Sequence, residues 1–166
     1  IKLAAAYRVQ YDRDYISAMP TNLYGPGDNF DLQSSHVLPA LIRKTHEAKM
    51  NGADMVTIWG SGTPRREFLH VDDCADAVTF ILKSYSDVEH INVGSGDDIS
   101  IYELTKIVCE VVGFEGSIEC DTSKPDGTMR KLMSGEKLRK MGWKPKIELR
   151  QGIETTYAWF LNHAAE

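Results

Sequence analysis

Short apolar runs alternate along the chain with longer stretches in which apolar residues recur every three or four positions. This alternation is typical of an α/β protein, in which strands and helices follow one another. We predict strands at 15–19, 55–59, 90–93 and 117–120, and helices at 1–11, 37–48, 72–85, 101–112, 134–141 and 148–163. Turn-forming residues dominate 20–35 and 121–130, which we predict to be loops.

Several predicted helices carry recognisable start signals. We expect Ser34 or Ser35 to cap the second helix, and Asp72 or Asp73 to cap the third. Ser100, followed by Glu103, forms a capping box for the fourth helix, which Gly113 ends. The third helix has an apolar stripe that we expect to face the core, made of Cys74, Ala77, Val78, Ile81 and Leu82.

Composition narrows the class of protein. The 166 residues are 42% hydrophobic and 26% charged, as expected of a soluble globular domain, and the net charge of −5 argues against nucleic acid as the main partner. No apolar stretch is long enough to span a membrane, and no signal peptide is evident. Three scattered cysteines without CxxC spacing indicate a reducing, cytoplasmic location and no metal site. Because the first residue is isoleucine, we expect the chain to be a piece of a longer protein.

Candidate chemistry is concentrated after the strand at 55–59. A Gly-Ser-Gly-Thr-Pro turn leads there into two adjacent arginines, Arg65 and Arg66. A flexible turn followed by paired guanidiniums suits bidentate capture of a phosphate or diphosphate. Because adjacent residues point in different directions, the sequence leaves open which arginine is the ligand.

Five segments together resemble the extended short-chain dehydrogenases/reductases (SDRs) that act on nucleotide sugars. They are PTNLYGPGDNF (20–30), SHVLPAL (35–41), WGSGTPRREFLHVDD (59–73), INVGSG (91–96) and SKPDGTMRKL (123–132). SHVLPAL and the SKPDG-x-x-RK run point to the branch of the GDP-L-fucose synthases. The resemblance implies the C-terminal part of a Rossmann-type α/β fold. Residues 1–34 would be the last elements of the NADP-binding domain, and 35–166 a smaller α/β substrate-binding region interleaved with the final Rossmann strands.

The activity that this resemblance implies belongs to a longer enzyme. That enzyme would be a homodimer that uses NADP(H) to convert GDP-4-keto-6-deoxy-D-mannose to GDP-L-fucose by epimerisation and reduction. The glycine-rich dinucleotide motif is missing here. We expect the catalytic Tyr-x-x-x-Lys pair, the helper Ser or Thr and a catalytic Cys upstream, so the chain alone should be inactive.

The resemblance implies a role for each position of this chain that matches a functional residue of the family. His36 would be the catalytic proton donor or acceptor, work for which histidine is suited by its titration near neutral pH. Contacts to NADP(H) would come from Pro20, Thr21, Asn22, Leu23 and His36. Contacts to the GDP-sugar would come from Lys44, Trp59, Arg66, Asp126 and Lys131.

From the residues alone, purely structural roles for two of these residues stay open. His36 is also placed to cap a helix beside Ser35, and Trp59 to be a core tryptophan. Helical spacing puts Arg43, not Lys44, on the face of His36.

Two other functions also remain open. One is a sibling sugar-nucleotide enzyme of the same superfamily, such as a GDP-mannose dehydratase or a UDP-sugar epimerase. The other is a non-catalytic module that senses or binds a dinucleotide.

Overall fold

The computed structural model describes residues 1–163, in which six helices and eight strands follow one another as an α/β protein. Residues 164–166, at the end of the predicted substrate-binding region, lie outside the described residues. In chain order the elements are α1 (Lys2–Tyr11), β1 (Ala18–Pro20), β2 (Asn22–Tyr24), α2 (Val37–Met50), β3 (Met55–Trp59), β4 (Arg65–His70), α3 (Val71–Ser84), β5 (Ile91–Val93), β6 (Asp98–Ser100), α4 (Ile101–Val112), β7 (Ser117–Asp121), β8 (Arg130–Lys131), α5 (Glu136–Lys140) and α6 (Leu149–His163).

The strands pair mainly in parallel, as expected when helices connect them. β1 pairs with β5, β3 pairs with β7, and β4 pairs in parallel with both β2 and β8, whereas β4 and β6 are antiparallel. Only Thr21 separates β1 from β2, and its N–H donates to the Val93 carbonyl at 3.0 Å. Pairing therefore joins residues on both sides of position 34. The domain boundary itself stays a prediction.

Two apolar cores lie on either side of this arrangement. The larger contains Tyr24, Phe30, Leu38, Leu41, Ile42, Val56, Ile58, Phe68, Leu104, Val108, Cys109, Val112, Phe114, Ile153 and Phe160. The smaller contains Leu69, Ala77, Ile81, Tyr85, Ile91, Val93, Leu138 and Trp143. The neighbours Phe68 and Leu69 belong to different cores because successive side chains of a strand point to opposite faces. β4 is therefore shared by both cores.

Two predicted helix caps were wrong. His36 is the N-cap residue of α2 but makes no side-chain cap bond, and His70, through Nδ1, accepts the Asp72 N–H at 3.2 Å at the start of α3. Ser34 instead donates its hydroxyl to Asp31, and the Asp73 carboxylate accepts the N–H groups of residues 146 and 147. Ser34 is thus engaged within its own turn and Asp73 with a distant segment, so neither caps its helix. The Ser100–Glu103 capping box and the left-handed Gly113 that ends α4 are confirmed.

The predicted core stripe of α3 was only partly right. Ala77 and Ile81 are buried and Cys74 is partly buried, whereas Val78 and Leu82 are exposed. The core contact of α3 is thus narrower than the apolar pattern suggested. α1 buries none of its own residues.

A buried carboxylate, Glu67, ties several segments together in the middle of β4. Glu67 is fully buried, and one of its oxygens accepts the Gly96 N–H at 2.7 Å while the other accepts the Met133 N–H at 3.1 Å. Its main-chain carbonyl accepts hydrogen bonds from the side chains of Thr21 and Asn22. There is no room for a side chain at Gly94, which lies against the carboxylate. Three separate segments therefore depend on one residue.

We predict that Glu67→Ala lowers the free energy of unfolding by about 3 kcal/mol, because it leaves two buried N–H donors without acceptors. Urea unfolding measures the change. Glu119→Ala is the matched control, since Glu119 is exposed on β7, and should change stability by less than about 0.5 kcal/mol. Equal effects of the two substitutions would contradict the role given to Glu67.

Candidate functional site

The centre of the candidate site is the end of β3, where Trp59 projects into solvent. The five-residue register of β3 with β7 pairs Trp59 with Asp121, and the Gly60 N–H donates to the Asp121 carbonyl at 2.9 Å. The Trp59 side chain is 67% exposed. A core tryptophan, the alternative left open by the sequence, is therefore excluded.

The turn after Trp59 is fastened to a distant loop by Asp126. The carboxylate accepts the Ser61 N–H and the Ser61 hydroxyl, both at 2.8 Å. Ser61 also shares a hydrogen bond of 2.6 Å with Thr63. Gly60 has φ +75° and lies directly against the Asp126 carboxylate, so a side chain there would be strained and would clash. We call this contact between residues 60–61 and Asp126 the latch.

Between α2, the end of β3, β4 and the latch lies a cleft of about 360 Å³. Four residues predicted to contact a GDP-sugar line it: Lys44, Trp59, Arg66 and Asp126. The Lys44 ammonium lies 5.1 Å from the centre of the Trp59 ring, a cation–π distance. The structure thus brings together residues that are up to 82 positions apart in sequence.

The neighbours of the cleft residues have other partners. Arg43 forms an ion pair with Glu47 at 2.7 Å, donates to the Phe30 carbonyl at 3.3 Å, and does not line the cleft. Lys44, the next residue along α2, does line it. The face of α2 that carries Arg43 is therefore not the face that meets this cleft.

The two adjacent arginines of β4 point to opposite faces of the strand, as the sequence predicts for successive residues. The Arg65 guanidinium is bound to the Asp98 carboxylate at 2.8 Å, to the Asp98 carbonyl at 2.7 Å and to Glu103 at 3.5 Å. Arg66 lines the cleft, with Nη1 donating to the carbonyls of Arg65 and Thr128. Within the described residues, its Nε and Nη2 groups make no hydrogen bond, so Arg66 is the arginine available to a ligand.

Lys131 lies beside the cleft rather than in it. The parallel register of β4 and β8 pairs Arg66 with Lys131, so their side chains share one face of the sheet. Lys131 is exposed and does not line the cleft. It adds positive charge to the face that carries Arg66.

His36 lies at the rim of the cleft. It is exposed at the N-terminus of α2, between Ser35 and Val37, which both line the cleft. No hydrogen bond to its side chain occurs among residues 1–163. The imidazole therefore faces solvent, and its role in proton transfer stays a prediction.

The predicted cofactor segment, Pro20 to Leu23, lies where two parallel strands end. Pro20 ends β1 and is paired with Val93, which ends β5. Dinucleotides bind outside the carboxyl ends of such strands. The side chains of Thr21 and Asn22 are engaged with the Glu67 carbonyl, at 3.3 and 2.7 Å, so they hold this segment in place.

One Tyr-x-x-x-Lys spacing does occur in the chain, at Tyr102 and Lys106 of α4. The Lys106 ammonium lies 4.9 Å from the Tyr102 ring centre, and neither residue lines the cleft around Trp59. Lys106 instead lines a separate, open groove beside Arg65 and Glu110. This pair is thus not part of the candidate site.

Other chemistry is sparse in the part of the chain that the structure describes. Burial raises the pKa of the Cys74 and Cys109 thiols, which disfavours the reactive thiolate. Residues 1–163 contain no cluster of ligands suited to a metal ion. None of the described helices is both long and apolar enough to cross a bilayer.

Sequence reasoning missed two residues that adjoin the cleft. Ser61, the partner of Asp126, looked like an ordinary turn residue, and its role depends on a contact 65 positions away. Lys124, which lies 6.0 Å from the Trp59 ring, was one charge among many in a predicted loop. For Lys124 the sequence did contain a partial signal, because this residue belongs to the SKPDG run on which the resemblance rests.

Comparison with known proteins identifies the family to which the chain belongs. A profile of the NAD dependent epimerase/dehydratase family matches residues 1–94. The chain belongs to that family. The expectation of an α/β fold of the SDR type is confirmed by this match and by the parallel strand pairs.

Particular relatives narrow the comparison. The chain is 61% identical over 166 residues to a GDP-L-fucose synthase of Sinorhizobium fredii, an alignment that covers 100% of this chain and 53% of that protein. A GDP-L-fucose synthetase structure from Naegleria fowleri bound to NADP is similar with TM-score 0.91 and 31% identity, covering 99% of this chain and 53% of that one. A GDP-6-OMe-4-keto-L-xylo-heptose reductase from C. jejuni is similar with TM-score 0.88 and 36% identity, over 97% and 57%. The chain spans about half the length of the curated relatives it matches.

The Asp98 carboxyl predicts how the stability of the fold changes at acidic pH. Hydrogen bonds from Arg65 and then Arg130 lower the pKa of this carboxyl, whose side chain is 6% exposed. Because its pKa is lower in the folded state, Asp98 stabilises the fold above about pH 4. That contribution is lost as the pH falls through the folded-state pKa.

We therefore expect Asp98→Asn to lower the urea midpoint of unfolding at pH 7. The decrease of this midpoint between pH 7 and pH 3 should be smaller in the variant than in the wild type. Asp97→Asn is the matched control, since Asp97 is exposed next to it and forms no ion pair within residues 1–163. A drop as large in Asp98→Asn as in the wild type would contradict the prediction.

Proposed function

We propose that the chain is the C-terminal, substrate-binding part of an NADPH-dependent enzyme that converts GDP-4-keto-6-deoxy-D-mannose to GDP-L-fucose. The observation that carries this proposal is the convergence of Lys44, Trp59, Arg66 and Asp126 in one cleft. These residues come from the segments that resemble GDP-L-fucose synthases. The similarity to the Sinorhizobium fredii enzyme over the whole chain supports the same function.

The cleft offers the groups that a nucleoside diphosphate sugar requires. Lys44 and Arg66 provide positive charge for a diphosphate that carries about two negative charges. Trp59 provides a flat apolar surface for a base or a sugar ring. Asp126 is an acceptor for sugar or base N–H and O–H groups, and it also accepts the two hydrogen bonds from Ser61 that form the latch.

NADP(H) fits the exposed end of β1. Pro20 is exposed at the carboxyl end of a parallel strand pair, and Thr21 and Asn22 fix the main chain there through Glu67. When bound, the cofactor supplies hydride for reduction of the 4-keto group. This chain would contribute the main chain of Pro20 to Leu23 and the His36 side chain as contacts.

His36 is proposed to move a proton at a carbon next to the keto group. Its exposed imidazole is free of competing hydrogen bonds among the described residues and lies between two cleft-lining residues. The tyrosine, lysine, serine or threonine and cysteine of the family would come from the remaining half of the enzyme. The homodimer and the cytoplasmic location stay predictions of the resemblance.

A second candidate is a reductase of another GDP-4-keto sugar. The similar C. jejuni protein is a GDP-6-OMe-4-keto-L-xylo-heptose reductase, and this similarity favours the alternative over a non-catalytic binding module. The two enzymatic candidates differ in product. Only the first inverts the sugar centres before reduction.

The test of the function is NADPH oxidation by the full-length protein with GDP-4-keto-6-deoxymannose, followed by identification of the sugar. We expect GDP-L-fucose as product. Arg66→Ala should raise the KM for the GDP-sugar by about tenfold, because a charge-assisted contact to the diphosphate is lost. Reduction without inversion would favour the second candidate, and no oxidation at all would contradict both for this substrate.

A separate prediction concerns His36. His36→Asn in the full-length enzyme should reduce epimerisation by 100-fold or more, the usual range for loss of a general acid or base being about 10²–10⁴. The Kd for GDP should change less than twofold. Solvent deuterium incorporation into the sugar measures epimerisation, and calorimetry measures binding. Equal losses in both would contradict proton transfer by His36.

A further inference from the structure

We propose that Lys124, at the edge of the cleft, is a further phosphate-binding cation in addition to Lys44 and Arg66, and that it shares the Trp59 ring with Lys44. The inference rests on the proposed function, since it assumes that the cleft binds a nucleoside diphosphate. It adds a residue that the sequence analysis did not assign.

Two ammonium groups from separate segments converge on one indole. The Lys44 Nζ, on α2, lies 5.1 Å from the centre of the Trp59 ring, and the Lys124 Nζ, in the loop after β7, lies 6.0 Å from it. Both distances are in the range of cation–π contacts. Positive charge therefore gathers at the exposed aromatic surface of the cleft.

The position of Lys124 is fixed by the fold on both sides. Before it, Asp121 is paired with Trp59 by the β3–β7 register, and the Lys124 N–H donates to the Asp121 carbonyl at 3.2 Å. After it, the latch fastens Asp126 to Ser61 through two hydrogen bonds. The loop therefore returns to the Trp59 turn on either side of Lys124.

The Lys124 ammonium is available to a ligand. It forms no ion pair within residues 1–163, and the side chain is exposed. The nearby Asp121 carboxylate already accepts the N–H and the hydroxyl of Ser123, at 3.0 and 2.5 Å. These hydrogen bonds are the first cause of its lowered pKa, and the charge of Lys124 is a smaller one. An exposed cation–π contact is weaker than a charge-assisted hydrogen bond to phosphate. An arriving diphosphate would therefore draw Lys124 from the ring.

The chemistry predicts a graded effect of the ligand's charge. Guanosine carries no phosphate and gains nothing from the ammonium, whereas GMP and GDP carry increasing negative charge. Loss of the Lys124 charge should therefore weaken GDP binding most, GMP less and guanosine least. A purely structural role of the loop would weaken all three alike.

The experiment is calorimetric titration of the full-length protein with GDP, GMP and guanosine. Lys124→Ala should raise the Kd for GDP by about threefold to tenfold, while the Kd for guanosine changes less than twofold. Lys124→Arg should restore most of the GDP affinity because it keeps the charge. Lys106→Ala is the matched control, since it removes another exposed lysine that lies over an aromatic ring away from the cleft.

The outcomes separate this inference from the proposed function. If Lys44→Ala and Trp59→Ala weaken GDP binding but Lys124→Ala does not, Lys124 is no phosphate ligand and the inference is overturned. If Lys124→Ala weakens all three ligands equally, its role is structural and the inference is also overturned. If neither Lys44→Ala nor Trp59→Ala changes the GDP affinity, the cleft does not bind the nucleotide, and both the inference and the proposed site fail.

Discussion

The structure depends most on the buried carboxylate of Glu67. A charge of this kind is stable in a protein interior only when fixed donors surround it. Here the donors are main-chain N–H groups of Gly96 and Met133, which belong to loops far apart in sequence. Through its carbonyl the same residue also holds Thr21 and Asn22. The end of β1, the loop after β5 and the segment after β8 are thus positioned by one side chain and its own main chain.

Because side chains alternate along β4, one of its two arginines stabilises the fold and the other faces the cleft. Arg65 faces Asp98 and helps to join β6 and β8 to β4, because Asp98 also binds Arg130. Arg66 faces the cleft and keeps guanidinium donors free within the described residues. The same alternation sends Phe68 to one core and Leu69 to the other. One strand therefore holds the fold together and also presents a cation to the cleft.

The elements that sequence reasoning predicted well are those with strong local signals. Strands β3 and β7 and helices α2, α4 and α6 follow apolar periodicity, and the Ser100–Glu103 box and Gly113 bound α4 as local chemistry requires. Strands β2, β4, β6 and β8 were not predicted, because they are short or polar and exist through pairing with distant partners.

The cleft residues were found by resemblance rather than by periodicity. Spacing left Arg65 and Arg66, and Arg43 and Lys44, as alternatives, since only three-dimensional partners distinguish them. Asp98 and Glu47 engage Arg65 and Arg43, and this could not be inferred from local sequence. The Asp126–Ser61 contact and the approach of Lys124 to Trp59 are likewise products of the fold.

The exposure of Trp59 also has an optical consequence. Of the three tryptophans, Trp143 is 5% exposed in the smaller core, and Trp159 is partly buried and stacked on Phe30 and His163. Trp59, at 67% exposure and beside two ammonium groups, is the indole most open to collisional quenchers and the one that iodide, an anion, is drawn towards. Fluorescence of this chain therefore contains a component that reports on the cleft separately from the two cores, without any added label.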